Sequence, residues 1–412
     1  MPERDHSATP RRGFLQAGAL ATTAALTLPG QERGAVAADP ASKSTPPSIP
    51  RRPLGKTGVD VTILNMGTWR STGLDRLLRF AHANGVRYFD TAKSYGSEPG
   101  IARWLQAMPE VRKDIFLVTK DHPHTVKELI RTLDERLATL QTDYVDLYFL
   151  HGIGGSNPVD WPKSREFKET VEAIKKSGKA KFVGFSCHDV KRAEYLQSAA
   201  EGGFIDAIMV QYSPWLEKDA PLNRALDACH AKGIGLIAMK QVAGQGAGLD
   251  TPDALAEIVK RTPMLKEKGL TPYQALLQAI WSDERIASAC VSMRSTEQVR
   301  ENSAAAKSFQ PLAQADIHQL RDACLAVGRT FCADCDGRCS IAGKTEANLF
   351  DLTRMLTYHE HHGYRAEARR LFAELPESAR AWAGADLEAA RAACPNHLDF
   401  AKLLPEADRL LA

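Results

Sequence analysis

Short apolar runs alternate with helical patterns along most of this chain, and three consecutive runs each lead to a chemically active residue. Tyr88-Phe89-Asp90-Thr91-Ala92 leads to Tyr95, Ile115-Phe116-Leu117-Val118-Thr119 to Lys120, and Val145-Asp146-Leu147-Tyr148-Phe149-Leu150 to His151. Each run is short and rich in β-branched or aromatic residues, which is the pattern of a buried strand. The helical stretches between them predict parallel neighbours, because a parallel return needs a crossover. An Asp, a Tyr, a Lys and a His then converge at the C-terminal end of one sheet, where barrels of such strands build their active sites. Taken singly, each has a bland reading: Asp90 as a buried helix cap, Tyr95 as a packing aromatic, His151 as a satisfied strand-end histidine. At consecutive strand ends, chemistry explains all four together.

Five further strand patterns lie at residues 61–67, 182–186, 207–211, 235–239 and 287–292. Helical patterns fill the gaps, for example at 125–140 and 164–176, with 253–268 and 272–282 in the longest gap. Eight strands alternating with helices predict an α/β protein, a (β/α)8 barrel, over residues 51–310. Residues 53–59 read as a small hairpin ahead of it. Residues 311–412 are left for a helical, cysteine-containing extension, with amphipathic patterns at 349–360 and 365–375.

Bulk properties exclude several classes. A net charge of +3 with no basic stripe argues against a nucleic-acid partner, and no apolar run is long enough to span a bilayer.

The four strand-end residues make sense as one device. A tyrosine hydroxyl ionises near about pH 10 and is a poor acid at neutrality. A lysine ammonium beside it favours the phenolate and is expected to lower that pKa, an aspartate holds the lysine, and a histidine orients a carbonyl oxygen. The result is a general acid poised over a developing alkoxide.

Phe89-Asp90-Thr91-Ala92 with Tyr95-Gly96, Thr119-Lys120 and Leu150-His151 resembles the Asp-Tyr-Lys-His tetrad of the aldo-keto reductases, in the right order, over residues from about 51 to 308. The resemblance implies a barrel that reduces a carbonyl to an alcohol, or the reverse, with NADP or NAD. Tyr95 would be the acid/base, with Lys120, Asp90 and His151 around it. Val183-Gly184-Phe185-Ser186 and Val210-Gln211-Tyr212 are also similar to the family, and imply that Ser186 and Gln211 hold the nicotinamide amide. This chain has Cys187 where the family often has Asn, and Ala238-Met239-Lys240 where many members place a stacking aromatic. Tyr212 or Trp215 is the expected replacement. Ser292-Met293-Arg294-Ser295 and Val299-Arg300-Glu301-Asn302 resemble the adenosine-phosphate segment, with Arg294 and Arg300 placed to pair with a 2′-phosphate. Gln298 stands at a basic position of the family, so NADP and NAD both stay open. For either arginine the bland reading is a solvated helix face.

The extension carries Cys332, Cys335 and Cys339, with Cys394-Pro395 further on. Soft thiolates at such spacings suit an iron–sulfur cluster or a zinc ion; free thiols or disulfides are the alternative. The tail resembles the ferredoxin-like extension of some bacterial aldo-keto reductases, whose fuller pattern has two cysteine quartets. Four candidate ligands leave room for one 4Fe-4S cluster, and C-x2-C-x3-C departs from the usual spacing. Cys187, Cys229, Cys290 and Cys324 read as buried small apolar residues. Tyr358-His359-Glu360-His361-His362-Gly363 reads as a helix C-terminus with a glycine stop.

Pro10-Arg11-Arg12-Gly13-Phe14-Leu15, a mildly apolar stretch and Ala35-Val36-Ala37 resemble a twin-arginine export signal over residues 1–37, followed by a Pro- and Ser-rich linker at 38–50. This implies a translocase partner and a periplasmic or exterior location, with a cytoplasmic, disordered basic tail as the alternative. Free NADPH is not expected outside the cytoplasm. Either the nucleotide leaves tightly bound, or a redox partner or the cluster supplies electrons, or the barrel has lost activity. The rival readings are an electron-transfer protein on a barrel scaffold and a non-catalytic nucleotide sensor.

Overall fold

The computed structural model describes residues 48–412 apart from 70, 72–73, 190, 217, 241–251, 328–331, 333–336 and 361–364. β1 (Arg51–Pro53) and β2 (Asp60–Thr62) form an antiparallel hairpin. Eight parallel strands follow: β3 (Leu64–Gly67), β4 (Tyr88–Asp90), β5 (Phe116–Asp121), β6 (Val145–Leu150), β7 (Ala180–Cys187), β8 (Ala207–Gln211), β9 (Gly235–Met239) and β10 (Ile286–Ser292). They close in the order β10-β3-β4-β5-β6-β7-β8-β9, with β9 paired to β10. This is the (β/α)8 barrel that the alternation predicts.

Some details differ from the sequence pattern. The strand expected at 61–67 is divided between β2 of the hairpin and β3 of the barrel. β5 runs on to Asp121, so Lys120 lies inside the strand. The helical stretch at 253–268 is two helices, Pro252–Arg261 and Pro263–Lys268. Pro263 has no amide proton to donate and disfavours helical geometry at Thr262, which sits at φ −125°, ψ 75°.

Successive strand residues face opposite ways. One buried set, including Leu117, Tyr148, Leu150, Val183, Phe185 and Val210, packs against the outer helices. The alternate set, with Tyr88, Val118, Leu147, Phe149, Met209 and Ile237, fills the lumen, and Leu54 and Val61 of the hairpin join it. Gly184 is required in that layer: a Cβ there would fall 1.8 Å from the Ala207 carbonyl oxygen and 3.0 Å from the Phe149 ring.

Beyond the barrel the chain is helical. The helix Gln314–Val327 packs with the 252–281 segment through Ile317, Leu320 and Cys324. The helices Leu349–Glu360, Arg365–Glu374, Leu387–Ala393 and Phe400–Leu411 share a separate core built on Leu352, Leu356, Phe372, Leu403 and Leu404. Among the described residues no helix is long and apolar enough to cross a membrane.

Candidate active site

Alternation aims Asp90, Lys120, His151, Ser186 and Gln211 into the C-terminal mouth of the lumen. Lys120 Nζ donates to Asp90 Oδ1 at 2.5 Å and to the Thr91 carbonyl at 2.8 Å, and both members of this ion pair are buried. The strand that aims Lys120 inward is fixed from outside. Thr119 donates to Glu98 at 2.6 Å, Arg136 donates to the other Glu98 oxygen at 2.9 Å, and Arg136 lies 3.3 Å from Asp121.

Tyr95 ends a 3-10 turn, Lys93–Tyr95, that Gly96 closes at φ 65°. The turn is tied down by hydroxyls: Ser97 meets Thr91 at 2.6 Å and Thr68 at 2.8 Å, and Thr68 donates to the Asp90 carbonyl. Tyr95 meets His151 edge-on, with ring centroids 5.6 Å apart at 88°, and Lys120 Nζ lies 5.2 Å from the Tyr95 ring centre. Tyr95 and His151 are half-buried, so the site opens on the two residues assigned to the substrate.

Electrostatics corrects one expectation. The Tyr95 phenol is held well above its usual value, by burial first and then by Asp90 and Cys290, rather than lowered by Lys120. The ammonium is engaged by Asp90 and Thr91, and the Asp90 carboxylate still opposes the phenolate. Burial pushes His151 well below the ordinary histidine range, reinforced by His122, Lys120, His188 and Lys240, so the ring is a neutral imidazole. His122 stacks on it at 4.1 Å, and the His151 Nδ1 is buried without a hydrogen-bond partner among the described residues.

The nucleotide candidates divide. Ser186 and Gln211 are buried in the lumen wall, and Ser186 Oγ accepts from the Gly152 amide at 2.8 Å, which leaves its proton free to donate. Tyr212 follows Gln211 and faces the other way: its ring packs in the outer core and its hydroxyl donates to Asp283 at 2.8 Å. It is therefore not available to stack in the mouth. Trp215 is buried with Ile258, Met264 and Leu265. Arg294 lies over the Trp69 ring at 5.7 Å and exposed Arg300 over Phe80 at 5.7 Å, with Asn302 buried on the same helix as Arg300, Thr296–Lys307. Gln298 accepts from the Arg294 amide at 2.8 Å.

Cys290 is a site residue that sequence reasoning missed. It packs with the lumen set, and its thiol acts on Asp90, Tyr88 and Tyr95. β10 carries an irregularity between Ile286 and Ser288 that breaks the in–out alternation, so no sequence signal reports which way Cys290 points.

The extension reaches the mouth. Tyr358 lies 6.4 Å from Trp69, and the charges of Arg354 and Glu374 act on His188 and His122. Cys332, Cys339 and Cys394 are buried in one apolar cluster of the extension. Among the described residues no group of three His, Cys, Asp or Glu is placed to hold a metal ion. Cys335, His361 and His362 lie outside the described residues, as do residues 1–47.

Residues 64–324 match the model of the aldo/keto reductase family. The chain is 27% identical over 298 residues to L-galactose dehydrogenase of Arabidopsis thaliana, covering 64% of this chain and 90% of that protein. It is 26% identical over 328 residues to L-glyceraldehyde 3-phosphate reductase of Escherichia coli O157:H7, again covering 64% and 90%. Human aldo-keto reductase family 1 member A1 is 27% identical over 261 residues, 56% of this chain and 76% of that protein. A thermostable aldo-keto reductase solved with the inhibitor epalrestat superposes with a TM-score of 0.53 at 25% identity, over 66% of this chain and 99% of that one.

Proposed function

This chain belongs to the aldo/keto reductase family and is an oxidoreductase, and on that premise we propose that it reduces a small-molecule carbonyl to an alcohol, or runs the reverse, with NADP(H) or NAD(H). The observation that supports this most is the meeting of Asp90, Tyr95, Lys120 and His151 at one end of the lumen.

The donor set suits a nicotinamide nucleotide. The Ser186 hydroxyl and the Gln211 amide match a carboxamide, and Arg294, Arg300 and Asn302 match phosphate and ribose beyond β10. Bound there, such a nucleotide supplies or takes the hydride. The chain's own residues do the rest. The neutral His151 holds the carbonyl oxygen without adding charge. Tyr95 keeps its proton at neutral pH and releases it to that oxygen as negative charge develops. Lys120 offsets that charge, and Asp90 holds Lys120 in place. The test is NADPH oxidation with a generic aldehyde by the purified protein, beside a fluorescence titration of nucleotide binding. Binding with no turnover in either direction would overturn the reductase reading.

Two further readings belong to this proposal. Residues 1–37 act as a twin-arginine signal that exports the folded protein through the translocase. Cys332, Cys335, Cys339 and Cys394 hold one 4Fe-4S cluster, served by a redox partner, with zinc as the alternative metal. Cys332, Cys339 and Cys394 share one buried apolar cluster, but among the described residues no three such side chains stand together to hold a metal ion. No step of the reduction is assigned to it.

A further inference from the structure

We propose that Cys290 is a positioning residue for the catalytic ion pair: its thiol lies over the bare backbone of Gly67, placed to supply the donor that the Asp90 oxygen left open by Lys120 lacks.

The strand order makes this reach specific. β10 and β4 flank β3, so Cys290 and Asp90 stand two strands apart. Gly67 lies between them, in register with Asp90 on one side and with Ser292 on the other, while Cys290 pairs with Asn65 one layer below. A Cβ at Gly67 would come within 3.0 Å of the Cys290 sulfur. The missing side chain is what lets the thiol occupy the space over β3. Lys120 takes Asp90 Oδ1, and Asp90 Oδ2 is buried with no hydrogen-bond partner among the described residues. A buried carboxylate oxygen without a donor is costly, so a neighbouring thiol is drawn to it.

Four charged or titratable groups act on or with Asp90 among the described residues. Lys120 faces it from β5, Tyr88 from β4, Tyr95 from the 3-10 turn and Cys290 from β10. Burial raises the Asp90 pKa, Lys120 lowers it, and the thiol lowers it further. The Cys290 thiol is itself held well above its usual value, by burial first and then by Asp90, so it stays protonated and toward a carboxylate acts as a donor. A cysteine of this kind is a hydrogen-bond donor and not a nucleophile.

Two measurements test the inference. Raman spectroscopy resolves the S–H stretch of Cys290, assigned by its loss in Cys290→Ser. The band should lie at a hydrogen-bonded position, and should move toward the free-thiol position in Asp90→Asn. Gly67→Ala, which displaces the sulfur while keeping the carboxylate, should move it the same way. A free-thiol band in the native protein, or a band unmoved by both variants, overturns the proposal. The second measurement is the pH profile of kcat/KM for aldehyde reduction. Cys290→Ala removes the donor and should shift the acidic limb to higher pH, and Cys290→Ser should restore it. A residue that only fills space would lower Tm in both variants and leave the limb in place, which overturns the proposal. The pH measurement rests on the reductase reading, whereas the vibrational one stands without turnover, so the two readings fail separately.

Discussion

The Lys120 ammonium lies 5.2 Å from the centre of the Tyr95 ring while its hydrogen bonds go to Asp90 and the Thr91 carbonyl. It therefore acts on the phenol as a nearby charge, and the phenol keeps its proton until the substrate oxygen becomes basic enough to take it. Tyr95→Phe removes that proton and nothing else of size. Turnover should fall on the order of a hundredfold to ten-thousandfold, with nucleotide affinity by fluorescence titration nearly unchanged. Near-normal aldehyde reduction by the variant would sink the assignment.

Lys120→Met should damage both rate and stability. It leaves the Asp90 carboxylate buried without its cation, a change that costs about 3–5 kcal/mol when a buried pair is broken from one side. Lys120→Met combined with Asp90→Asn should recover part of that loss, because the pair couples the two sites. Thermal unfolding of the two single variants and the double variant measures this. Additive losses would mean that the pair is not coupled.

His151 and His188 predict a stability that falls on acidification. Burial and nearby cations hold His151 well below the usual value of 6.5, and Lys240, burial and Arg354 do the same for His188. The unfolded chain takes up these protons as pH drops through 6.5, and the folded chain does not. The stabilisation is complete above that pH and is lost progressively below it. Tm should decline between about pH 7.5 and 5, and His188→Gln should flatten the decline. An equal slope in the variant would remove His188 from this account.

Much of this was legible because strand periodicity is a local property. Tyr88-Phe89-Asp90 and Val145 to Leu150 announce both a strand and the polar residue at its end. Tyr212 was misplaced at the nicotinamide by the family resemblance, although strand alternation turns it away, since it follows inward-facing Gln211 by one residue. Other features depend on contacts across the barrel. Cys290 reads as a small apolar residue until the irregularity in β10 and the bare Gly67 place it beside Asp90. The sign of the Tyr95 shift depends first on its burial and then on Asp90 and Cys290, which spacing alone does not report.

The proposed export rests on Arg11 and Arg12, so their joint replacement by Lys is the informative change. The double variant should accumulate in the cytoplasm, while the parent chain is recovered from the periplasm or medium on cell fractionation. Equal export of both would return the segment to a basic tail.

Cys394 is the most separate of the four proposed metal ligands in sequence, and it shares a buried apolar cluster with Cys332 and Cys339. A thiol in that position is either a ligand or a small packing group, and the two roles respond differently to substitution. If it is a ligand, anaerobically isolated protein contains iron and absorbs in the visible, and Cys394→Ala bleaches that absorption. The variant should also lower the unfolding temperature of the extension, since metal binding to a folded site adds directly to its stability. Zinc at one-to-one stoichiometry without iron would replace the cluster by a structural zinc ion. If Cys394 only packs, Cys394→Ala removes one buried sulfur and should cost about 1 kcal/mol, with metal content unchanged. That outcome would leave the cysteines of the extension as core residues.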